Sequence, residues 1–327
     1  MEKGILVTGG AGYIGSHVVK QLGAAGYSRV VVLDNLSKGF EKAVTHGELI
    51  IGDTGDKDLV SRILQEHDID SVLHFAAHTI VPESVENPLK YYGNNTCNTR
   101  NLLECCSNAG VKHFIFSSTA ATYGIPKNVP VTEEEPTAPI NAYGTSKLMS
   151  EMMLKDLAFA TDLRYVVLRY FNVAGCDSSG KIGQSTPEAT LLTKVACEAA
   201  IGKREKVYIF GTDYDTKDGT GIRDYIHVED LASAHLKALE YLKNNGTSTL
   251  LNCGYGHGYT VREVLSAVEK ANGKPLVIEE QPRRAGDPPE LIANADKIRQ
   301  TLNWTPEHDD LDKIVSTALN WEKNRSY

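Results

Sequence analysis

The chain has 327 residues, of which 41% are hydrophobic and 23% charged, an ordinary balance for a globular enzyme whose length suggests two domains. A net charge of −8 argues against a nucleic-acid surface, which needs a concentrated basic face, but not against a small anion held by one or two local cations. No apolar run approaches the roughly 20 residues that cross a bilayer.

The opening "MEKGILVTGG" lacks the regions of an export signal. The six cysteines (Cys97, Cys105, Cys106, Cys176, Cys197, Cys253) form no C-x-x-C pair. Reduced, mostly buried thiols, no metal site and a cytoplasmic location are therefore expected.

In chain order, "GILVTGG", "VVVLDN", "ELIIGD", "SVLHFAA", "HFIFSSTAA" and "YVVLRYFN" read as strands. Amphipathic segments such as "YIGSHVVKQLGAAG" and "NTRNLLECCSNAG" separate them and end on glycines, as helices often do. Near-continuous apolar runs indicate strands buried on both faces. The expected fold is α/β, a doubly wound parallel sheet of Rossmann type with a second, smaller α/β domain for substrate. After about residue 171 the alternation breaks into the loops "AGCDSSGKIGQSTPEAT", "GTDYDTKDGTGIRDY" and "EEQPRRAGDPPE". The division expected is 1–171 for a dinucleotide and 172–327 mainly for substrate, with some segments returning to the first domain.

"TGGAGYIG" sets Gly9, Gly12 and Gly15 between the first strand and first helix, where glycines let a pyrophosphate approach backbone N–H groups. Asp34 closes the next strand about 20 residues on, where a carboxylate can accept from an adenosine ribose and repel a 2′-phosphate, favouring NAD. In "INAYGTSK", Tyr143 and Lys147 stand four apart, on one face of a helix. A phenol titrates near 10, so a neighbouring ammonium and an oxidised nicotinamide are expected to lower its pKa and make it a general base. "FSSTAATYG" adds Thr119 as a hydrogen-bond donor to the reacting oxygen.

The glycine spacing resembles the short-chain dehydrogenase/reductase superfamily. Further segments ("LDNL", "HFAA", "ESVENPLKYYGNN", "YGTSK", "LRYFNVAG", "IFGTDY", "DGTGIRDYIHVEDLA" and "PRRAGDP") resemble its extended branch and the UDP-glucose 4-epimerase family almost end to end. That resemblance implies catalysis by Thr119, Tyr143 and Lys147. It implies cofactor contacts from the glycine loop with Tyr13 and Ile14, from Asp34, Asn35, Asp53, Thr54, Phe75, Ala76, Ala77, Asn94, Ser117 and Tyr170, and from Tyr143 and Lys147. For the nucleotide sugar it implies Asn172, Arg223 and Arg284 on the diphosphate, Tyr208, Ile209 and Phe210 on uracil, Asp287 on ribose, and Phe171 and Leu291 near the sugar. NAD, a UDP-sugar and a homodimer formed through two helices of the first domain follow from the same resemblance.

Related dehydratases follow the threonine with an acidic pair, and Ala120 and Ala121 stand here instead. Without those acids a 4-keto sugar can only take its hydride back, so interconversion of UDP-glucose and UDP-galactose is expected. UDP-N-acetylhexosamine, uronate or pentose epimerisation, a dehydratase, and a non-catalytic NAD-binding sensor are the alternatives. A lysine that lies near the nicotinamide in some relatives is Thr79 here, the family's asparagine pair is absent, leaving Ala189 and Thr190, and a large tyrosine beside the sugar 2-position in some strictly glucose-type enzymes aligns with Leu291.

Overall fold

The computed structural model describes residues 3–284 and 286–327. Its central sheet is built from β1 (Gly4–Thr8), β2 (Val30–Asp34), β3 (Glu48–Ile51), β4 (Ile69–His74), β5 (His113–Thr119), β6 (Arg164–Tyr170) and β7 (Thr249–Cys253). All pairings are parallel, in the spatial order β7-β6-β5-β4-β1-β2-β3. Every residue of β1, β2 and β5 is buried, which is why these strands read as unbroken apolar runs instead of alternating.

Six of the seven strands match the runs read from the sequence. The seventh, "TLLNC", lies far along the chain and pairs in register with β6. The helix preceding it, Val228–Lys243, packs on the first helix, Tyr13–Ala24, through Val18, Leu22, Leu231 and Leu239 on one face of the sheet. On the other face Lys57–Glu66 and Asn98–Ala109 pack through Val60, Leu64, Leu102 and Leu103. Gly110, at φ 72°, ends the latter helix in the left-handed conformation that costs glycine least.

The remaining strands are short. Asn172–Ala174 pairs with Tyr225–His227, Val207–Phe210 with Ile278–Gln281, and Ile222–Arg223 lies between Tyr259–Thr260 and Glu290–Leu291. A separate apolar cluster of Cys197, Val207, Ile209, Leu265, Val268 and Leu319 supports them. Among the described residues no helix is long and apolar enough to cross a membrane. Five of the six cysteines are buried and all six are free.

Buried histidines tie the layers together. His74 Nδ1 lies 2.6 Å from Thr8 Oγ1 and its Nε2 2.9 Å from Thr99 Oγ1, linking β4 to β1 and to a covering helix. Burial lowers His74 and His227 to about 3, and His17 and His235 to about 4. Histidines whose folded pKa is depressed bind fewer protons than the unfolded chain does below about 6.5, so stability falls on acidification through that window. Asp224, raised to about 6 by burial, works the other way, as do the raised Asp34 and Glu133, but His78 and His113 are lowered as well and side with the four histidines. Urea-unfolding curves at pH 7.5 and 5.5 should therefore show a lower midpoint at 5.5, and equal midpoints would remove the buried histidines from this account.

Candidate functional site

A cleft of about 450 Å³ opens at the carboxyl ends of the sheet strands. Its floor is the loop between β1 and the first helix. Gly9 has φ +70°, and a Cβ there would lie 2.5 Å from the Ala76 backbone nitrogen. A Cβ at Gly15 would meet the Gly9 carbonyl at 2.3 Å, so both positions exclude any side chain. Gly12 occupies the N-cap and supplies no side chain, leaving the first-turn amides uncapped by side chains.

The structure brings Gly9, Gly12, Tyr13, Ile14, Gly15, Phe75, Ala77, Thr119, Tyr143 and Tyr170 to this cleft. Phe171, Asn172, Arg223, Asp287 and Leu291 line its other end, with Thr79, Ala189 and Thr190 also on the wall.

Other expected residues stand behind or beside it. Asp34 is buried, its carboxylate accepting from the Ala11 and Leu36 amides at 2.9 Å each, so it braces the glycine loop from beneath. Asn35 donates to Asp53 at 2.9 Å, and Asp53 also accepts from Gly55 N and from Asn98. Thr54 is buried next to them, and Ala76 abuts Gly9. Asn94 sits in the π-helical stretch Tyr92–Cys97 and donates to Asn95, whose side chain clamps both backbone groups of His78 at 2.8 and 2.9 Å. Asn95, absent from the sequence-based set, thus shapes the wall around His78 and Thr79.

Tyr143 and Lys147 lie on Ala142–Ala160, a helix capped by Asn141 accepting from Gly144 N at 2.8 Å. A Cβ at Gly144 would come within 2.5 Å of the Ala121 carbonyl, so glycine lets this helix rest directly on the end of β5. Lys147 Nζ donates to the Ser117 carbonyl at 2.9 Å, and Ser117 Oγ donates to the Tyr170 hydroxyl at 3.0 Å. Thr119 Oγ1 accepts from Ala121 N at 3.1 Å.

Burial raises Tyr143 to about 12, opposed by the Thr119 hydroxyl, and lowers Lys147 to about 7, opposed by Glu151. The lowering expected of this tyrosine invokes an oxidised nicotinamide as well as the ammonium, and in the chain without cofactor burial is the larger influence. Lys147 is itself desolvated, so the cost of an ionised phenol in a dry wall outweighs what the amine offers.

At the opposite end, Arg284 pairs with Asp287 at 2.7 Å and lies over the Phe210 ring at 5.0 Å, while Arg223 is 3.7 Å from Asp287. Tyr208 and Phe210 point outward, whereas Ile209 is wholly buried in the neighbouring core, leaving only its backbone on that side. These loops carry the two arginines to one place despite 60 intervening positions in sequence.

Lys38, His78, Ile140, Gln184 and Leu191 also line the cleft, outside the set of residues expected from the sequence. One cluster among the described residues, His227, Glu229 and His308, holds three metal-type ligand atoms within 4.8 Å. His227 Nδ1 accepts from Glu229 N, capping a helix, and its Nε2 lies 3.0 Å from Thr317 Oγ1, so both ring nitrogens are engaged.

Comparisons with known proteins agree with this fold. Residues 5–254 match the NAD dependent epimerase/dehydratase family. A UDP-glucose 4-epimerase of Azospirillum brasilense is 54% identical over 321 residues, covering 98% of this chain and 92% of that protein. The crystal structure of UDP-glucose 4-epimerase from Brucella ovis in complex with NAD superposes with a TM-score of 0.95 at 43% identity, over 97% and 98% of the two chains. The UDP-Glc/GlcNAc 4-epimerase of Campylobacter jejuni is 51% identical with a TM-score of 0.87, over 98% and 99%.

Lys147 provides a test of the electrostatics. An amine whose folded pKa is pulled from 10.5 to about 7 destabilises the fold fully below 7, progressively less up to 10.5, and not above. Lys147→Met, in protein without ligand, should gain more stability relative to the parent at pH 6 than at pH 9.5 in urea denaturation. A difference independent of pH would show that burial does not govern this amine.

Proposed function

Because the chain belongs to the NAD dependent epimerase/dehydratase family, we propose that it is an NAD-dependent isomerase, a 4-epimerase interconverting UDP-glucose and UDP-galactose. The observation that carries this reading is a proton-handling set, Thr119, Tyr143 and Lys147, beside a cleft wall where Ala120 and Ala121 offer no acid or base.

The cleft fits the dinucleotide: Gly9 and Gly15 have no room for a Cβ, and the first-turn amides carry no side-chain cap. When bound, NAD supplies a reversible hydride acceptor for the sugar C4 and a positive charge near the phenol. Tyr143 takes the proton of the 4-hydroxyl and later returns it. Thr119 donates to the reacting oxygen. Lys147, anchored on the Ser117 carbonyl, orients the helix face that carries Tyr143 and favours its ionised form when protonated. Arg223 and Arg284 hold the diphosphate, with Asn172 beside them, and their engagement with Asp287 keeps both guanidinium groups at that end of the cleft. Phe210 and Tyr208 offer exposed ring faces for uracil.

In this reading residues 1–171 hold NAD, 172–327 mainly hold the UDP-sugar, and Val228–Lys243 with β7 serve the first unit. A homodimer through the helices of that unit has support in the exposed Leu89, Met152 and Phe159. Free thiols suit a reducing, cytoplasmic compartment, and galactose metabolism is the proposed setting.

A second reading, dual use of UDP-N-acetylhexosamines, is favoured by Leu291, a medium-sized side chain packed beside Phe171 and Ala120 where a larger one would narrow the cleft. The purified chain, without added NAD, should convert UDP-galactose to UDP-glucose on anion-exchange chromatography. UDP-N-acetylgalactosamine in parallel decides the second reading. No conversion of UDP-galactose, even with NAD supplied, would end the first. Tyr143→Phe should lower kcat by about 10²–10⁴ while leaving UDP-sugar binding intact, and unchanged turnover would move the base elsewhere.

A further inference from the structure

One stretch of the cleft wall, residues 184–190, forms neither helix nor strand. Gln184, Thr186, Ala189 and Thr190 line the cleft from it, and Glu188 takes φ +58°, a conformation uncommon for a residue with a side chain. At its far end the stretch runs into the helix Leu192–Ala200. Among the described residues, the hydrogen bonds that leave it start at its first two positions. The Gln184 carbonyl accepts from Lys194 Nζ at 3.0 Å and from Trp321 Nε1 at 3.3 Å, and Ser185 Oγ donates to the main-chain oxygen of Tyr327 at 3.3 Å. Whatever holds those two residues sets where the rest of this wall stands.

Tyr327 does not itself line the cleft, yet it touches two segments that frame it. Its ring lies 5.1 Å from Phe40 and 5.0 Å from Trp321, tilted by 38° and 60°, within the range of favourable aromatic pairs. Phe40 N donates to the Ala11 carbonyl at 2.9 Å, so that side is fixed to the glycine loop. On the other side a Cβ at Gly183 would lie 2.5 Å from Trp321 Cγ, so the backbone just ahead of the wall rests directly on the indole. The Tyr327 hydroxyl is buried beside the Gly183 backbone, and Arg325 Nε donates to the Tyr327 main-chain oxygen at 2.8 Å. One ring, wedged between Phe40 and Trp321, thus joins the glycine loop to the start of the irregular wall.

We infer that Tyr327 is a positioning residue for the sugar: by fixing residues 184–190 against the glycine loop, it keeps the keto sugar in the cleft while it turns. The inference rests on the UDP-sugar epimerase reading above and adds to it the residue that steadies this wall. The reaction makes the demand. Once the 4-hydroxyl proton has passed to Tyr143 and the hydride to NAD, the cycle closes only if the keto sugar stays to take both back. A keto sugar that escapes leaves reduced nicotinamide in the cleft and one proton to the solvent. A wall free to shift raises the chance of that escape and weakens the hold on the sugar, without touching the groups that move the proton.

The full chain, loaded with NAD and supplied with UDP-galactose, tests this. Tyr327→Ala should raise KM roughly tenfold and leave initial kcat within about twofold of the parent. The near-ultraviolet absorbance of reduced nicotinamide should build up with turnover in the variant and stay flat in the parent. UDP alone, titrated by calorimetry, should bind both equally, since it carries no sugar to meet this wall. Tyr327→Phe keeps the ring and should restore KM and the flat absorbance, and Ser326→Ala, at the exposed neighbour, should match the parent. Phe40→Ala should reproduce the defect, and the double variant should add little to either single change, because both remove one contact. Unchanged KM with flat absorbance in Tyr327→Ala, no rescue by phenylalanine, or additive effects of the two alanines would each overturn the assignment. So would a Tyr327→Ala chain that loses UDP affinity and kcat together, which marks a fold loosened as a whole. A parent that leaves UDP-galactose unconverted would instead refute the epimerase reading, which separates the two failures.

Discussion

The structure depends on keeping an amine and a phenol dry at the end of one strand. Lys147 and Tyr143 are 3% and 7% exposed, and burial drives their protonation equilibria towards the neutral forms from opposite sides. An ammonium there survives only if its hydration is replaced, and the Ser117 carbonyl replaces part of it. Glu151, one turn further along the helix, opposes the neutralisation but is itself committed to Arg169 through a close bidentate pair, with Ser118 as a third partner. Removing Glu151 or Arg169 would leave the other's buried charge uncompensated at a cost of several kcal/mol. The end of β5, the helix and β6 are therefore coupled by charge as well as by packing. A ligand that brings positive charge favours the ionised phenol, against the burial that keeps it neutral in the ligand-free site.

The same economy governs the other side of the cleft. β1 has β2 on one side and β4 on the other, and the loops leaving β1 and β4 diverge where Gly9 touches Ala76. That contact opens a crevice at the point where the strand order reverses, the place where open α/β sheets bind their ligands. Asp34 reinforces it from below by holding the amides of Ala11 and Leu36. One carboxylate thereby positions both the glycine loop and the turn that follows β2.

The parallel sheet was legible because strands buried on both faces leave an apolar record, and the glycine loop because close backbone approach admits one residue type. "TLLNC" was not, since five residues without alternation carry no period, and only its pairing with β6 makes it part of the sheet. Tyr143 and Lys147 were found through their spacing, but how deeply the pair is buried was not legible, since spacing reports proximity and is silent on solvent. Lys38, His78, Ile140 and Gln184 escaped because they reach the cleft from separate loops, where nothing periodic constrains them. Asn95 escaped for a different reason, as its work is to grip a neighbouring backbone and not to face the ligand.

The alanines after Thr119 join chemistry to packing. Ala120 is 3% exposed and belongs to an apolar cluster with Tyr123 and Val131, against which Phe171 and Leu291 also pack. A carboxylate at that position would enter a wall whose neighbours are rings and methyl groups, and would need a partner the cluster does not contain. It would be costly to ionise and would narrow the space next to Leu291. An acid able to drive elimination and a wall able to accommodate a turning sugar thus make incompatible demands on the same few cubic ångströms. This chain meets the second demand, and the reaction open to a keto intermediate follows from the shape and dryness of that wall as much as from the residues that move the proton.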